Sequence, residues 1–259
     1  MSKRCAFLSM DDMADFVSDA DLAIAPMAEF GWSVEYVSWR ATPVDWNRYD
    51  AVYLCTPWDY PEDHDGFLGV LKAIDASRAL LVNSLGLVRW NLDKTYLRDI
   101  EARGGAIVPS RWVSSPTVAD IRAAFATFGV SRIVVKPVIG ANAVDTFVIA
   151  REAPDAELEA IARVFAQRRS MLQPFIDSVT SEGEYSLFFF SGEYSHAIRK
   201  VPERGDFRVQ EEHGAAILAV DATDELIAVA RDIVALVEPE PVYARADFVR
   251  DAESGFLLM

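Results

Sequence analysis

Two lysines lie at the edges of apolar segments, and each could bind an anion. Lys94 follows the residues WNLD and falls in the first turn of a predicted helix, where backbone N–H groups and the helix dipole favour negative charge. Lys136 ends the apolar run RIVVK, before Pro137 and the loop VIGANAV. Gly140 in that loop permits close backbone approach to a phosphate, although the loop matches no standard phosphate-binding fingerprint. Taken singly, each lysine is more typical of a solvated or snorkelling side chain.

The segment MLQPFI could present its backbone to an adenine ring, with Gln173 and Phe175 beside it. Pro174 has no N–H group, so the donor would come from a neighbour such as Ile176. Glu184 follows in GEYSL, where a carboxylate could accept hydrogen bonds from ribose hydroxyls. A solvent-facing strand residue is the alternative for Glu184.

The densest basic cluster lies in HAIRKVPERGDFRVQ, which contains Arg199, Lys200, Arg204 and Arg208. Arginine binds carboxylates and phosphates bidentately, so this cluster suits a γ-phosphate and a substrate carboxylate. A solvated charged face is the other interpretation.

Asp247 interrupts the apolar strand-like segment VYARADFV. Aspartate is unfavourable in a strand interior, and a buried carboxylate needs a cation or a metal ion beside it. Mg²⁺ is usually held by one or two carboxylates together with substrate phosphates, while an ion pair with a neighbouring base is the structural alternative. The three histidines show no shared metal-ligand spacing.

Acidic residues near the N-terminus could bind a substrate amino group. Asp12 lies in SMDD and Asp59 in TPWDYPEDHD, and both follow predicted strands. Arg199 or Arg208 would then bind a substrate carboxylate. This combination predicts an amino acid or a short peptide as the substrate.

The elements that must position these residues begin with a β-α-β-β-α-β pattern. Its strands are CAFLSM, WSVEYVSW, DAVYLCT and ALLVNS, and amphipathic helical segments lie between them. This order predicts a layered α/β lobe with a mostly parallel sheet, whose ligands bind at the carboxyl ends of the strands.

The rest of the chain changes character. A helix is predicted from Asn91, a second from TVADIRAAFATFG, and then antiparallel strands alternate with single helices. The pattern predicts α/β and α+β lobes in three domains, at residues 1–110, 111–178 and 179–259.

Composition excludes several classes of function. The 259 residues carry a net charge of −15, which repels nucleic-acid phosphates. No stretch reaches the roughly 20 apolar residues of a membrane span, and two cysteines in apolar runs fit a reducing compartment. The sequence therefore predicts a cytoplasmic protein that binds neither nucleic acid nor membrane. It does not determine the oligomeric state.

Taken in order, these residues resemble the ATP-grasp ligase superfamily over the whole chain. WNLDKTYL, VVKPVIGANA, QPFI, GEYSL, RKVPERGDFRVQEEHGA and ARADFV fall where that superfamily places its nucleotide, substrate and metal segments. The chain is most similar to the glutathione-synthetase-like branch. TPWDY and WNLDKTYL resemble the bacterial group that contains the O-ureido-serine cyclo-ligase of cycloserine biosynthesis.

The resemblance implies an ATP-grasp fold preceded by an N-terminal α/β domain. It also implies an ADP-forming ligase that activates a carboxylate as an acylphosphate and joins it to an amine or cyclises it. ATP and Mg²⁺, with Mn²⁺ as an alternative, would be the cofactors. The implied nucleotide residues are Lys94, Lys136, Gly140, Gln173, Phe175, Ile176 and Glu184; the catalytic residues are Arg208, Lys200 and Gln210; the metal ligand is Asp247.

The sequence departs from the family pattern in two places. The loop after Lys136 is poor in glycine, and the chain stops at Met259, where the family's next strand brings further acidic or amide metal ligands. We therefore expect a metal site that is cut short at Met259. A catalytically silent nucleotide-binding protein of the same fold is the alternative function.

Overall fold

The structure is a computed structural model that describes residues 2–14 and 16–259. The chain forms two compact units, the first ending at Leu92 and the second beginning at Asp93. Within the described residues, no helix combines the length and the apolar character needed to cross a membrane.

The first unit is a parallel sheet with flanking helices. Its strands are β1 (Lys3–Ser9), β2 (Trp32–Ser38), β3 (Ala51–Thr56) and β4 (Leu80–Val82), and its helices are α1 (Ile24–Glu29), α2 (His64–Asp75) and α3 (Leu85–Asn91). The strand order is β2-β1-β3-β4, and all pairs are parallel. The predicted parallel α/β arrangement is confirmed.

Helix α2 shows why this unit folds. The Asp63 carboxylate accepts a hydrogen bond from the Gly66 N–H at 3.0 Å and so caps the helix. Phe67, Leu71 and Ile74 then recur on one face and are buried in the core of the unit.

The second unit contains two antiparallel sheets. The first sheet, in the order β5-β8-β6-β7, packs its core against two helices. Helix α4 (Tyr96–Ala102) precedes this sheet, whose elements are β5 (Arg111–Ser114), α5 (Val118–Phe128), β6 (Arg132–Pro137), β7 (Phe147–Ala150), α6 (Asp155–Val164) and β8 (Arg169–Pro174). Thr117 and Asp120 form a reciprocal capping box that begins α5, and Gly129, with φ of +70°, ends it.

The second sheet has the order β11-β10-β9-β12-β13. Its elements are α7 (Ser178–Ser181), β9 (Glu184–Phe190), β10 (Glu193–Val201), β11 (Ala216–Val220), α8 (Asp224–Ala235), β12 (Tyr243–Asp251) and β13 (Gly255–Leu258). Strand β11 has no counterpart in the sequence prediction. It is an edge strand whose five residues, AILAV, are all apolar although none is buried, so the sequence lacks the alternation that marks a half-buried strand.

Two differences from the predicted organisation concern the middle of the chain. The helix expected from Asn91 is interrupted: α3 ends at Asn91, and α4 begins only at Tyr96. The division between compact units falls at Leu92 and Asp93, whereas the predicted domain boundary lay at residue 110. The three-domain division stays a prediction.

Candidate active site

A cavity of about 300 Å³ lies within the second unit. Strands of both antiparallel sheets and the loop after Lys136 contribute to its lining. Part of the wall is apolar, formed by residues such as Val134, Phe175 and Val249. The remainder carries charged groups, namely Lys94, Lys136, Glu184, Lys200, Arg208, Arg245 and Asp247. The cavity therefore suits a ligand with one flat apolar part and one anionic part.

Lys94 lies just before α4 rather than in its first turn. Its backbone N–H donates to the Val138 carbonyl at 3.0 Å, so this amide is not available to a ligand. The Lys94 ammonium instead donates to the Gly140 carbonyl oxygen at 2.7 Å. Burial and repulsion from Lys136 lower the pKa of Lys94 to about 7.

Lys136 lies on β6 and also lines the cavity. Burial lowers its pKa to about 8, although the carboxylates of Glu184 and Asp247 oppose that effect. In the part of the chain that the structure describes, neither Lys94 nor Lys136 has a carboxylate within salt-bridge distance. The two ammonium groups thus leave the cavity with positive charge that an anion would stabilise.

The predicted adenine segment also lines the cavity. The Gln173 side chain is buried and donates to the Ser110 hydroxyl at 2.8 Å, which gives it a structural role. The Phe175 N–H donates to the Arg132 carbonyl at 3.0 Å and is therefore engaged within the protein. Ile176 lies directly after these paired positions, where the sequence placed the adenine donor.

Glu184 and Lys200 form a buried ion pair on neighbouring strands. They are cross-strand partners of β9 and β10, and the Lys200 ammonium donates to the Glu184 carboxylate at 2.7 Å. The Glu184 side chain is only 5% exposed. Burial, followed by repulsion from Asp247, raises the pKa of Glu184, and Lys200 opposes that rise. In this structure Glu184 is thus held by Lys200, although ribose hydroxyls could still approach it from the cavity.

Asp247 lies on β12 at the centre of a hydrogen-bonded cluster. The Arg245 guanidinium donates to both carboxylate oxygens, at 2.9 and 2.8 Å, and the buried Ser186 hydroxyl donates at 2.6 Å. The Lys200 ammonium lies 3.6 Å away. Although burial acts in the opposite direction, these cations and the hydroxyl hold the pKa of Asp247 well below its ordinary range. The carboxylate is therefore ionised and already bears partners.

The basic cluster is only partly in the cavity lining. Arg208 and Gln210 line the cavity, and the Gln210 side-chain oxygen is buried with no hydrogen-bond partner among the described residues. The Arg208 guanidinium is paired with the Asp206 carboxylate at 2.7 Å. Arg199 is absent from the lining, because neighbouring residues on a strand alternate faces and Lys200 faces the cavity. The structure thus does not bring Arg199 to the predicted substrate site.

The two predicted substrate acids of the first unit are already engaged. Asp59 accepts hydrogen bonds from the Trp39 indole at 2.6 Å and from the Arg40 guanidinium at 2.9 Å. Asp12 is exposed and accepts one from the Ala14 N–H at 2.9 Å. A structural role for Asp59 follows directly from these contacts.

Sequence reasoning missed Arg245 and Ser186 as parts of the site. Both line up with Asp247 through strand geometry: Ser186 is its cross-strand partner, and Arg245 precedes it by two residues on the same face. The alternation in YARADFV was the available signal, since Arg245 and Asp247 share one face of any strand drawn there.

The described residues contain no group of three or more histidine, cysteine, aspartate or glutamate side chains arranged to hold a metal ion. Two oxygen donors that Mg²⁺ accepts are nevertheless present in the cavity lining, the Asp247 carboxylate and the unpartnered Gln210 amide. The residues therefore fit an ion that is completed by ligand oxygens, and not a site formed by protein alone.

Two family models match the chain. Residues 5–83 match the N-terminal domain of the D-cycloserine synthetase DcsG. Residues 103–243, more than half of the chain, match the ATP-grasp domain of prokaryotic glutathione synthetase.

Individual relatives agree with these models. The cycloserine biosynthesis protein DcsG of Streptomyces lavendulae is 35% identical over 174 residues, which make up 66% of this chain and 58% of that protein. The match thus spans less than two thirds of this curated relative.

Solved structures extend the likeness to the whole chain. The crystal structure of D-cycloserine synthetase DcsG is 30% identical, with a TM-score of 0.84 over 99% of this chain and 90% of that one. A D-alanine–D-alanine ligase from Bacillus anthracis shares the fold at 14% identity, with a TM-score of 0.66 over 100% of this chain and 86% of that one.

The expected fold and family are confirmed. Three observations agree on this. Two sheets line a cavity that contains lysines, a family model matches more than half of the sequence, and a solved structure matches nearly all of it. This chain belongs to the ATP-grasp family, in the branch of the prokaryotic glutathione synthetases.

Proposed function

We propose that this protein is an ATP-dependent ligase that activates the carboxylate of a small amino-acid-like substrate. The observation that carries the proposal is the unbalanced positive charge in the cavity. Lys94 and Lys136 face it with lowered pKa values and without carboxylate partners among the described residues. A polyphosphate would restore the charge of both, while the apolar wall near Phe175 would accept an adenine ring.

The first chemical step is transfer of the γ-phosphoryl group. A substrate carboxylate oxygen attacks the γ-phosphorus, the bond to the β-phosphate oxygen breaks, and ADP leaves with that electron pair. Lys94 and Lys136 would bind the phosphates and keep them in place. Fixed cations lower the barrier because they already lie where negative charge develops and need no reorganisation.

The second step releases phosphate. An amine nitrogen attacks the acyl carbon, the bond to the phosphate oxygen breaks with its electron pair on the phosphate, and the departing phosphate takes up the proton that the amine loses. Arg245 is well placed to stabilise the oxyanion and phosphate charge, because it stays protonated and projects beside Asp247 in the lining. Lys200 and Arg208 line the same cavity and would contribute positive charge, with Gln210 orienting the ligand.

Mg²⁺ is the proposed metal cofactor, and Mn²⁺ could replace it. Asp247, assisted by the Gln210 amide oxygen, would hold the ion together with phosphate oxygens. When bound, the ion would withdraw charge from the β- and γ-phosphates. A solved relative of the same fold, the ATP-grasp ligase PsnB at 17% identity and TM-score 0.64, was determined with minimal precursor, Mg and ADP.

The proposed substrate class is an amino acid derivative or a short peptide, which is joined to an amine or cyclised. Support comes from the first unit, which matches a D-cycloserine synthetase domain, and from DcsG relatives whose names denote cycloserine biosynthesis. Arg199 and Asp59 contribute less to this proposal than the sequence suggested. Arg199 does not line the cavity, and Asp59 is paired with the Arg40 guanidinium.

A substrate panel tests the proposal. Purified protein is incubated with ATP, Mg²⁺ and single amino acids, ureido or hydroxylamine derivatives of serine, and dipeptides, and ADP and phosphate are measured. We expect ADP formation that depends on both Mg²⁺ and one small substrate. The matched control is Lys136→Met, which should abolish turnover without unfolding the protein.

The catalytically silent alternative makes a different prediction. Both Asp247 oxygens bear protein partners, and a carboxylate that kept these partners would hold no metal ion and leave a site that binds nucleotide without turnover. Saturable ATP binding with no ADP formation, across the panel and with either metal, would favour this alternative. Absence of ATP binding would refute both functions.

A further inference from the structure

An exposed ion pair ties the segment around Lys94 to the first sheet of the second unit. The Asp93 carboxylate is paired with the Arg169 guanidinium, and the two side chains are 25% and 49% exposed. Arg169 is the first residue of β8, and Asp93 immediately precedes Lys94 in the chain. The pair thus joins the strand that leads to the adenine segment with the lysine that faces the cavity.

Backbone hydrogen bonds complete this connection. The Lys94 N–H donates to the Val138 carbonyl at 3.0 Å, and the Val138 N–H donates to the Arg169 carbonyl at 3.1 Å. The second Asp93 oxygen accepts from the N–H and the hydroxyl of Thr95, at 2.9 and 2.7 Å. Both oxygens of Asp93 are therefore used, one toward Arg169 and one toward the start of α4.

Lys94 needs such support because no helix holds it. Helix α4 begins at Tyr96, and Thr95 is its N-cap residue. The ammonium nevertheless donates to the Gly140 carbonyl at 2.7 Å, two residues beyond the backbone anchor at Val138. A lysine side chain with four rotatable bonds loses considerable conformational entropy when it is fixed in this way. If the backbone is already fixed, a ligand has to order only the side chain, and the entropy cost of binding is smaller.

Global stability does not account for the ion pair, because exposed pairs contribute little to it. Asp93 has a second effect on its neighbour. Its negative charge favours the protonated form of Lys94, against burial and the repulsion from Lys136. The position and the charge state of Lys94 thus both depend on the Asp93 carboxylate.

We propose that Asp93 and Arg169 form a positioning pair for Lys94, which holds its ammonium against the Gly140 loop for binding of nucleotide phosphates. This inference rests on the proposed function, since it requires that the cavity binds an adenine nucleotide. It adds a role for two residues that do not touch the nucleotide themselves.

Calorimetric titration of the full chain tests the proposal without turnover. The ligands are the β,γ-imido analogue of ATP with Mg²⁺, and adenosine without phosphates. Asp93→Asn and Arg169→Gln should each weaken binding of the analogue by about threefold to tenfold and leave adenosine affinity unchanged. A purely structural role would weaken both ligands. Asp155→Asn, which breaks the Arg122–Asp155 pair at 2.7 Å in the same lobe, is the control and should change neither.

A double-mutant cycle shows whether the pair acts through Lys94. In a Lys94→Met background, Asp93→Asn and Arg169→Gln should cause no further loss of affinity for the analogue. Additive losses would overturn the positioning role. Arg169→Lys should recover part of the affinity, because it retains the charge but not the fork of the guanidinium.

The pH dependence gives an independent readout. The charged groups that face Lys94 are Asp93 on its own segment and Lys136 on β6, and the cavity also contains Glu184, Lys200, Arg208, Arg245 and Asp247. Affinity for the analogue should fall as the pH rises, and in Asp93→Asn this fall should begin at a lower pH than in the unmodified protein. Arg169→Gln retains the carboxylate and should not shift the fall. Equal pH profiles for the two variants would contradict the electrostatic part of the proposal.

Failure of the two ideas is distinguishable. If the unmodified protein binds neither analogue nor adenosine, the proposed function is wrong and this inference is refuted with it. If it binds both and the variants match it, only the positioning role is refuted.

Discussion

Nucleotide binding by this protein should take up protons, and the uptake should increase as the pH rises. The pKa of Lys94 is lowered to about 7 by burial and by Lys136, and burial lowers the pKa of Lys136 to about 8. Phosphate groups beside these ammonium groups favour the charged forms and raise both pKa values again. A ligand that raises a pKa binds protons wherever the free protein has lost them.

The expected magnitude follows from the two values. At pH 8, Lys94 is about nine-tenths deprotonated and Lys136 about half deprotonated, so binding should take up somewhat more than about one proton. At pH 6.5 both lysines are mostly charged, and the uptake should fall to about a quarter of a proton. Affinity should accordingly decline as the pH rises from 6.5 to 8.

Calorimetry in two buffers of different ionisation enthalpy measures this uptake. ADP with Mg²⁺ is the ligand, because it cannot be turned over, and the experiment is repeated at pH 6.5 and pH 8. Lys94→Met corrects for protons that titrate on ADP itself, and it should remove most of one proton at pH 8. Tight ADP binding with the same uptake in both proteins would refute the assignment of Lys94 as a phosphate contact with a lowered pKa.

Four further results are expected. Lys94→Met should stabilise the unliganded protein, because its pKa lies below the ordinary 10.5 and the charged form costs folding free energy; thermal unfolding should show a larger gain at pH 6 than at pH 9. Arg245→Met should lower kcat by about 100-fold or more with less effect on ADP affinity in steady-state and binding assays, and equal loss in both would contradict its role beside the reacting atoms. Ser186→Ala should cost about 1 kcal/mol in urea denaturation, since it removes a buried hydrogen bond to Asp247; an unchanged midpoint would show that the bond contributes nothing. Asp59→Ala should cost about 1–3 kcal/mol in the same assay, because the Trp39 indole and the Arg40 guanidinium lose their acceptor, and a gain in stability would point to a functional acid instead.

Local signals in the sequence were sufficient for most elements. Thr117 and Gly129 bracket α5 at the expected positions, and the Ser191–Gly192 turn joins β9 and β10. Strand β11 escaped prediction because an exposed edge strand needs no regular apolar face. The break between α3 and α4 was also missed, because the Lys94 N–H donates to the carbonyl of Val138, a distant partner that the sequence around Lys94 does not reveal.

The candidate site was likewise only partly predictable from the sequence. Residue types by themselves identified the groups that can carry charge, and the cavity lining contains Lys94, Lys136, Glu184, Lys200, Arg208 and Asp247. Their roles in the reaction stay predictions. Sequence order could not show that Asp59 is bound by Arg40, because the partner lies in a different element.

The sequence by itself determined the family, most of the elements and the chemistry available, because these depend on residue type, spacing and periodicity along the chain. The tertiary structure decided which charges meet. Arg199 and Lys200 are neighbours in sequence, yet alternation along β10 directs only Lys200 into the cavity. Arg245 and Ser186 reach Asp247 through strand register, and Arg169 reaches Asp93 across 76 residues of chain. Such pairings depend on distances in space, which set both the pKa values and the cost of burying each charge.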